Sequence, residues 1–315
     1  MHNWRFSGLR YNKYAQYLQE RFGRRVYKTC IDAGFECPNI NGDISKRGCI
    51  YCDQKSFTPT DKMRHMDVSS QIDRQIRWVK WRYKTEDAGY LAYFQASTST
   101  YDSPGNLKRL YDEAVSHPSV IGLVVGTRPD CVDDSILDLL ESYAQNIYVC
   151  IEYGLQSSKN ESLKWIGRGH DVDCFLGAVE KTKGRGIEIG AHVILGLPCE
   201  SLSDMLDTAR YLGDVGVDSV KIHNLHITRG TALEALYLKG EVPVYDVDEY
   251  VSVLVDFLEE LSPSIVIQRM IGDAPGKYLV APSWVADKQL FLRRLFAVME
   301  ERDSYQGIRW HKRKL

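Results

Sequence analysis

The chain has 315 residues, 44% of them apolar and 26% charged, with a formal net charge of −2. That is enough apolar material for one large domain or two smaller ones, and the balanced charge excludes a global basic field for nucleic-acid binding, leaving only a local patch. The opening MHNWRFSGLRYNKY lacks a signal-peptide core and no run of about 18 apolar residues occurs, so a cytoplasmic protein without a membrane segment is expected.

Three stretches are expected in chain order: an N-terminal helical segment over 1–24, a core over 25–240, and an extension over 241–315 packed on that core. Strand Arg25–Ile31 leads into CPNINGDISKRGCIYC, a loop holding Cys37, Cys49 and Cys52. Helix Ser69–Thr85, strand Tyr90–Gln95, helix Asn106–His117 and strand Val120–Val125 come next, followed by helix Asp133–Ser142 and strand Asn146–Glu152. Helix Val172–Arg185, strand Glu188–Leu195, helix Leu202–Val215, strand Ser219–His223 and helix Thr231–Lys239 complete the core. The extension carries helices Asp246–Leu261 and Asp287–Arg302, with a late strand Ile265–Gln268 between them.

The runs VIGLVVG and GAHVILGL are almost continuously apolar, which suits parallel strands covered on both faces. Strand–helix alternation repeated about six times predicts a full or partial α/β barrel, with its chemistry at the C-terminal strand ends. The polar stretches after the strands are therefore the candidate site: the cysteine loop, QASTSTY, GTRPD, EYGLQS, GLPCES and HNLHITRGT.

In a reducing compartment the eight cysteines are thiols, ligands or catalytic groups before they are disulfides. Cys30, Cys131, Cys150, Cys174 and Cys199 are scattered singly and read as small buried hydrophobes. Three grouped thiolates suit an iron–sulfur cluster with one iron left open. A zinc site completed by Cys30 or His65, and a purely structural loop, are the alternatives.

The loop resembles that of the radical S-adenosylmethionine (SAM) enzymes, with eleven residues between its first two cysteines instead of three. This expanded form is similar to the Elongator catalytic subunit and, more closely, to the YhcC/YtqA-like bacterial proteins. The similarity runs through YFQASTSTY, GTRPDC, EYGLQSSKNESLKWIGRGH, HVILGLP, HITRGTALEALYLKGE and EERDSYQG. It implies a partial (β/α)6 TIM-like barrel in which Cys37, Cys49 and Cys52 hold a [4Fe–4S] cluster whose open iron chelates SAM.

The same resemblance implies SAM contacts from Tyr51, from Gln95, Ser97 and Thr98 after the second strand, and from Thr127 and Arg128 after the third. Glu152 and Gln156 would bracket the fourth strand end, and His192, Ile194, Gly196 and Leu197 would form the adenine stretch. A capped turn at Arg128-Pro129-Asp130, and a Glu152 paired with a base such as Arg128 or His192, are the structural alternatives. Lys221, His223, His226 and Arg229 follow as a cluster, of which His223, His226 and Arg229 are assigned to substrate.

The terminal Trp310-His311-Lys312-Arg313-Lys314 is a candidate phosphate contact. The Elongator resemblance implies a tRNA anticodon loop as partner, the wobble uridine as target, and a flavodoxin or ferredoxin as electron donor. The sequence carries no acetyltransferase half and no further CxxC for an auxiliary cluster. A radical SAM enzyme acting on a small metabolite or peptide, and a non-catalytic zinc-binding nucleic-acid module, are the competing readings.

Overall fold

Short apolar runs separated by amphipathic helices assemble into one curled parallel sheet. In the computed structural model, residues 4, 8–42, 44–45, 47–53, 65–95, 97–272 and 274–311 are described. Lys312, Arg313 and Lys314 of the basic tail lie outside them. Seven strands pair in the order β1 (Arg25–Ile31), β2 (Ala88–Phe94), β3 (Val120–Thr127), β4 (Tyr148–Gln156), β5 (Glu188–Leu195), β6 (Ser219–Asn224) and β8 (Val266–Arg269). Two further short strands, β7 (Ile227–Thr228) and β9 (Leu279–Ala281), pair antiparallel.

The helices are α1 (Tyr14–Phe22), α2 (Pro38–Asn41), α3 (Val68–Tyr83), α4 (Pro104–Val115), α5 (Asp134–Ala144), α6 (Asn160–Trp165) and α7 (Val172–Thr182). After β5 come α8 (Leu202–Val215), α9 (Ala232–Leu238), α10 (Val247–Glu260) and α11 (Lys288–Glu301). Asp67, Ser103, Asp133, Asp171 and Ser201 each precede a crossover helix and accept a first-turn N–H, stabilising that end by about 1 kcal/mol.

Every strand residue of β2 and β4 is buried, as their apolar runs require. The outward set, including Phe94, Val125, Ile151, Tyr153 and Val193, packs on the helices in the main core. A second inward set, Leu91, Tyr93, Val124, Tyr148 and Cys150, closes around Leu18 of α1, which plugs the N-terminal end of the barrel.

Two expectations change. The late strand joins β6 in parallel and becomes the seventh strand of the barrel sheet, so the extension contributes to the core sheet as well as packing on it. Strand β4 runs four residues past Glu152 to Gln156, because Tyr153 and Leu155 keep the outward apolar alternation going. Glu152 consequently sits inside the barrel, below the strand end. Among the described residues no helix is long and apolar enough to cross a membrane.

Candidate active site

Cys37 caps the one-turn α2, whose Ile40 and Asn41 amides donate back to the Cys37 carbonyl. Cys52 donates its amide to the Cys49 carbonyl, so the CxxC closes as a turn. The loop is fastened to the segment after α6: Ile50 N–H donates to Ile166 O at 3.0 Å, and Asn39 Nδ2 donates to Gly167 O at 2.8 Å. Two donors also face Cys49 Sγ, Asn39 Nδ2 at 3.4 Å and Arg168 Nη1 at 3.8 Å. The Arg168 guanidinium is held in turn by Gly154 O, at 2.9 Å from Nη2.

The three thiols open into one cavity at the C-terminal ends of the strands. Of the SAM-binding residues expected from sequence, Tyr51, Gln95, Ser97, Thr98, Thr127, Arg128, Glu152, Gln156, His192 and Ile194 line it, as do His223 and His226. Arg229 stands exposed outside it, its amide on Tyr278 O. Gly196 and Leu197 also lie outside the lining: Gly196 (φ 90°) abuts the Tyr245 ring, and Leu197 is buried in a separate apolar cluster.

Sequence reasoning did not single out Tyr93, Gly126, Gly154, Arg168, Asn224 or Leu225, which line the same cavity. For Arg168 the signal was the glycine on either side: Gly167 and Gly169 take φ of 67° and 80°, conformations that let the arginine turn inward. Cys30 packs below the cavity with the inward apolar set, and His65 is not in the lining. Of the five scattered cysteines only Cys150 is fully buried, and Cys199 is exposed.

Two non-glycine residues at the rim, Ser97 (φ 65°) and Gln156 (φ 75°), hold left-handed backbone, a conformation costing about 1 kcal/mol or more outside glycine. At Gln156 it accompanies a register shift between β4 and β5.

Arg128 is 2% exposed and grips Asp130 through Nε (2.8 Å) and Nη2 (2.7 Å). The capped turn thus forms, yet Nη1 is buried without a partner on a residue that lines the cavity.

Below the rim lies a buried charge network. Glu152 accepts from Lys28 Nζ at 2.6 Å, Lys221 Nζ at 2.6 Å and His192 Nε2 at 3.0 Å. Lys221 also reaches Tyr93 Oη at 2.6 Å, and Lys28 reaches Gln268 Oε1 at 2.6 Å. Burial opposes ionisation of Glu152, but Lys221, Lys28 and His192 together hold its carboxyl well below the ordinary value. Burial pulls Lys221 down to about 7 against the attraction of Glu152, with Lys28 adding to the fall. Burial and then Lys221 lower His192 to about 4, so at neutral pH its donor to Glu152 is a neutral Nε2–H. The groups around Glu152 outweigh its burial, whereas for Lys221 burial outweighs its carboxylate, so both partners of the ion pair move down.

The donor set fits an iron–sulfur cluster. Burial, then Cys49 and Cys37, push the Cys52 thiol up to about 12, so holding it as a thiolate calls for positive charge beside it. Among the described residues no three His, Cys, Asp or Glu side chains are arranged around one metal ion. A cluster asks less convergence of its ligands, since each iron takes one thiolate. The spare Nη1 of Arg128 and the polar residues at the ends of β2 to β5 fit a ligand carrying a carboxylate and an ammonium.

The family model described as Radical SAM superfamily matches residues 42–212, starting inside the cysteine loop, and the Radical_SAM C-terminal domain matches 217–301. YtqA of Bacillus subtilis is 33% identical over 300 residues, 95% of this chain and 92% of that protein. A tRNA uridine(34) acetyltransferase of Methanocaldococcus infernus is 29% identical over 248 residues, 77% of this chain but 44% of that longer protein. The structure of archaeal Methanocaldococcus infernus Elp3 lacking its N-terminus superimposes with a TM-score of 0.63 at 17% identity. It covers 89% of this chain and 64% of that one, a likeness of fold.

Proposed function

The chain belongs to the radical SAM superfamily, and from that premise we propose that it modifies the side chain of a tRNA wobble uridine, converting 5-carboxymethylaminomethyluridine to 5-aminomethyluridine. The observation that carries this reading is the meeting of three thiols from one loop with the polar ends of the strands in one cavity. Cys37, Cys49 and Cys52 would hold a [4Fe–4S] cluster, and SAM would bind beside it in the cavity. Bound there, the cluster would supply the electron for reductive cleavage of SAM; loss of a hydrogen atom from the CH₂ between the target's amine and carboxylate, return of one electron from the resulting carbon radical, and hydrolysis of the C–N bond by water would release the aminomethyl product and glyoxylate.

The remaining work falls to this chain's side chains. Arg128 offers Nη1 to a carboxylate of SAM or substrate. Gln95, Ser97 and Thr98 offer oxygens to the SAM ammonium, and Tyr51 and Ile194 give apolar walls for adenine. Glu152, already bound by Lys28, Lys221 and His192, would share its oxygens with the ribose hydroxyls. His223 and His226 face the substrate, and an unstacked anticodon-loop base suits a cavity of this kind. The wobble assignment draws support from the uridine(34) enzyme among the relatives. A cytoplasmic flavodoxin or ferredoxin would deliver the electron.

Anaerobic reconstitution tests the cofactor assignment. A brown protein that makes 5′-deoxyadenosine from SAM and dithionite, and loses both properties in Cys49→Ala, is expected; cleavage persisting in that variant overturns the cluster ligands. Mass spectrometry of tRNA nucleosides from a deletion strain tests the substrate. Accumulated 5-carboxymethylaminomethyluridine supports it, and an unchanged wobble profile refutes it.

A further inference from the structure

One helical face turns a stripe of arginines and indoles to solvent, with Trp78 edge-on to Tyr83 and Arg82 over the same ring. On α3 the outward positions Arg74, Arg77, Trp78, Trp81 and Arg82 follow the i, i+3, i+4, i+7, i+8 spacing of a single stripe. All five are exposed, Trp78 at 53% and Trp81 at 67%. These are the exposed tryptophans among the described residues. The opposite positions Ile72, Ile76 and Val79 are buried and seat the helix on the sheet.

Neighbouring acids are already committed, Asp73 to His117 and Glu86 to Lys80. Arg74, Arg77 and Arg82 have no carboxylate partner among the described residues, and Lys84 Nζ lies 5.8 Å from the Trp81 ring centroid. Three arginines on α3 and Lys84 at its C-cap are thus concentrated on one flank of a chain whose net charge is −2.

We propose that this stripe is an RNA-binding track that holds the arm of the tRNA next to the loop presented to the cavity. The proposal rests on the tRNA reading above and adds the surface that recognises the substrate. Strands β1 and β2 are parallel, so α3 runs back antiparallel to both, beginning at the cavity end of the barrel. Arg74 to Arg82 spans about 12 Å of helix rise and descends the barrel flank away from the mouth. Guanidinium groups pair with phosphates in sequence-tolerant fashion, and the two indoles are flat platforms for unstacked bases. An RNA segment with unstacked bases supplies both a phosphate for each guanidinium and a flat base for each indole.

Fluorescence anisotropy with labelled, unmodified tRNA tests the track, using full-length protein with reconstituted cluster. Arg74→Glu/Arg77→Glu should weaken binding at least tenfold and reduce the slope of log K against log salt by about 1–2. Trp78→Ala/Trp81→Ala should weaken binding at least fivefold with the salt slope unchanged. Both variants should cleave SAM in the absence of tRNA at the wild-type rate, which shows that the fold and cluster survive. Wild-type affinity and slope in both variants overturn the track while leaving the substrate reading intact. Failure of the wild-type protein to bind tRNA removes the substrate reading itself. Unaltered tRNA binding combined with lost reduction by flavodoxin assigns the surface to the reductant and overturns the proposal.

Discussion

Lys28, Lys221 and His192 all reach one carboxylate, so the barrel interior holds two ammonium groups against a single negative charge. Removing the carboxylate is therefore worse than removing one lysine. Glu152→Gln should cost about 3–5 kcal/mol because Lys28 loses its carboxylate and Lys221, already drawn down to about 7, is left as an unpaired buried amine, whereas Lys221→Met should cost less than about 2 kcal/mol because Lys28 still neutralises Glu152. Urea denaturation measures both, and equal losses would refute the asymmetric charge count. His192 gives the network a pH signature. Its folded pKa, about 4, lies below the ordinary 6.5, so between those values the unfolded chain binds a proton that the folded chain does not. Stability from this group is present above about pH 6.5 and is lost as the pH falls towards 4, by on the order of 2–3 kcal/mol. His192→Gln keeps an N–H donor and should flatten that part of the urea-midpoint profile. An unchanged profile would show that other groups set it.

Strand β4 shows how one element divides structural and site roles. Its outward residues Val149, Ile151, Tyr153 and Leu155 are core, while Cys150, Glu152, Gly154 and Gln156 face inward. At Gly154 a Cβ would lie 2.4 Å from Arg168 Nη2 and 2.7 Å from Gln156 Nε2. Gly154→Ala should therefore push Arg168 off its carbonyl and lower iron retention after reconstitution, with the fold kept; full iron content would count against Arg168 as a positioning residue. Continuous burial hid this division from the sequence, because strands apolar on both faces show no alternation to mark the inward side. The strand was legible; its end was misplaced, so Glu152 was expected at the rim.

Across the whole molecule, segments near both ends of the described chain fasten β8. Lys13 forms a parallel bridge with Ile267, and the Ile267 amide donates to Asn12 O at 2.7 Å. Gln306, fully buried, ties this join together: its Nε2 donates to Ser262 O and Ile265 O, and its Oε1 accepts the Asn12 amide. Gln306→Ala takes the partner from the Asn12 amide and the Ile265 carbonyl, while Ser262 O keeps the Ile265 amide, and should cost about 2–4 kcal/mol. Because residues near both ends share these bonds with the sheet, we expect the 1–24, 25–240 and 241–315 stretches to unfold in one transition. Separate calorimetric transitions would show that they are independent units.

The sequence by itself determined the strand–helix alternation, the barrel class, the three-cysteine loop and the family. The alternation and the loop reside in short-range periodicity and spacing, which neighbouring residues impose on one another, and the family in motifs that resemble those of its members. Most of the residues that line the cavity were named in advance from the family resemblance, and they meet there because parallel strand ends converge in a barrel. Only the tertiary structure decided that Lys28 lies on Glu152 across 124 residues, that Arg168 faces Cys49 across 119, and that a seventh strand joins the sheet. Such contacts depend on which phase of each strand points inward and on the register between strands, and both are set by packing among distant elements.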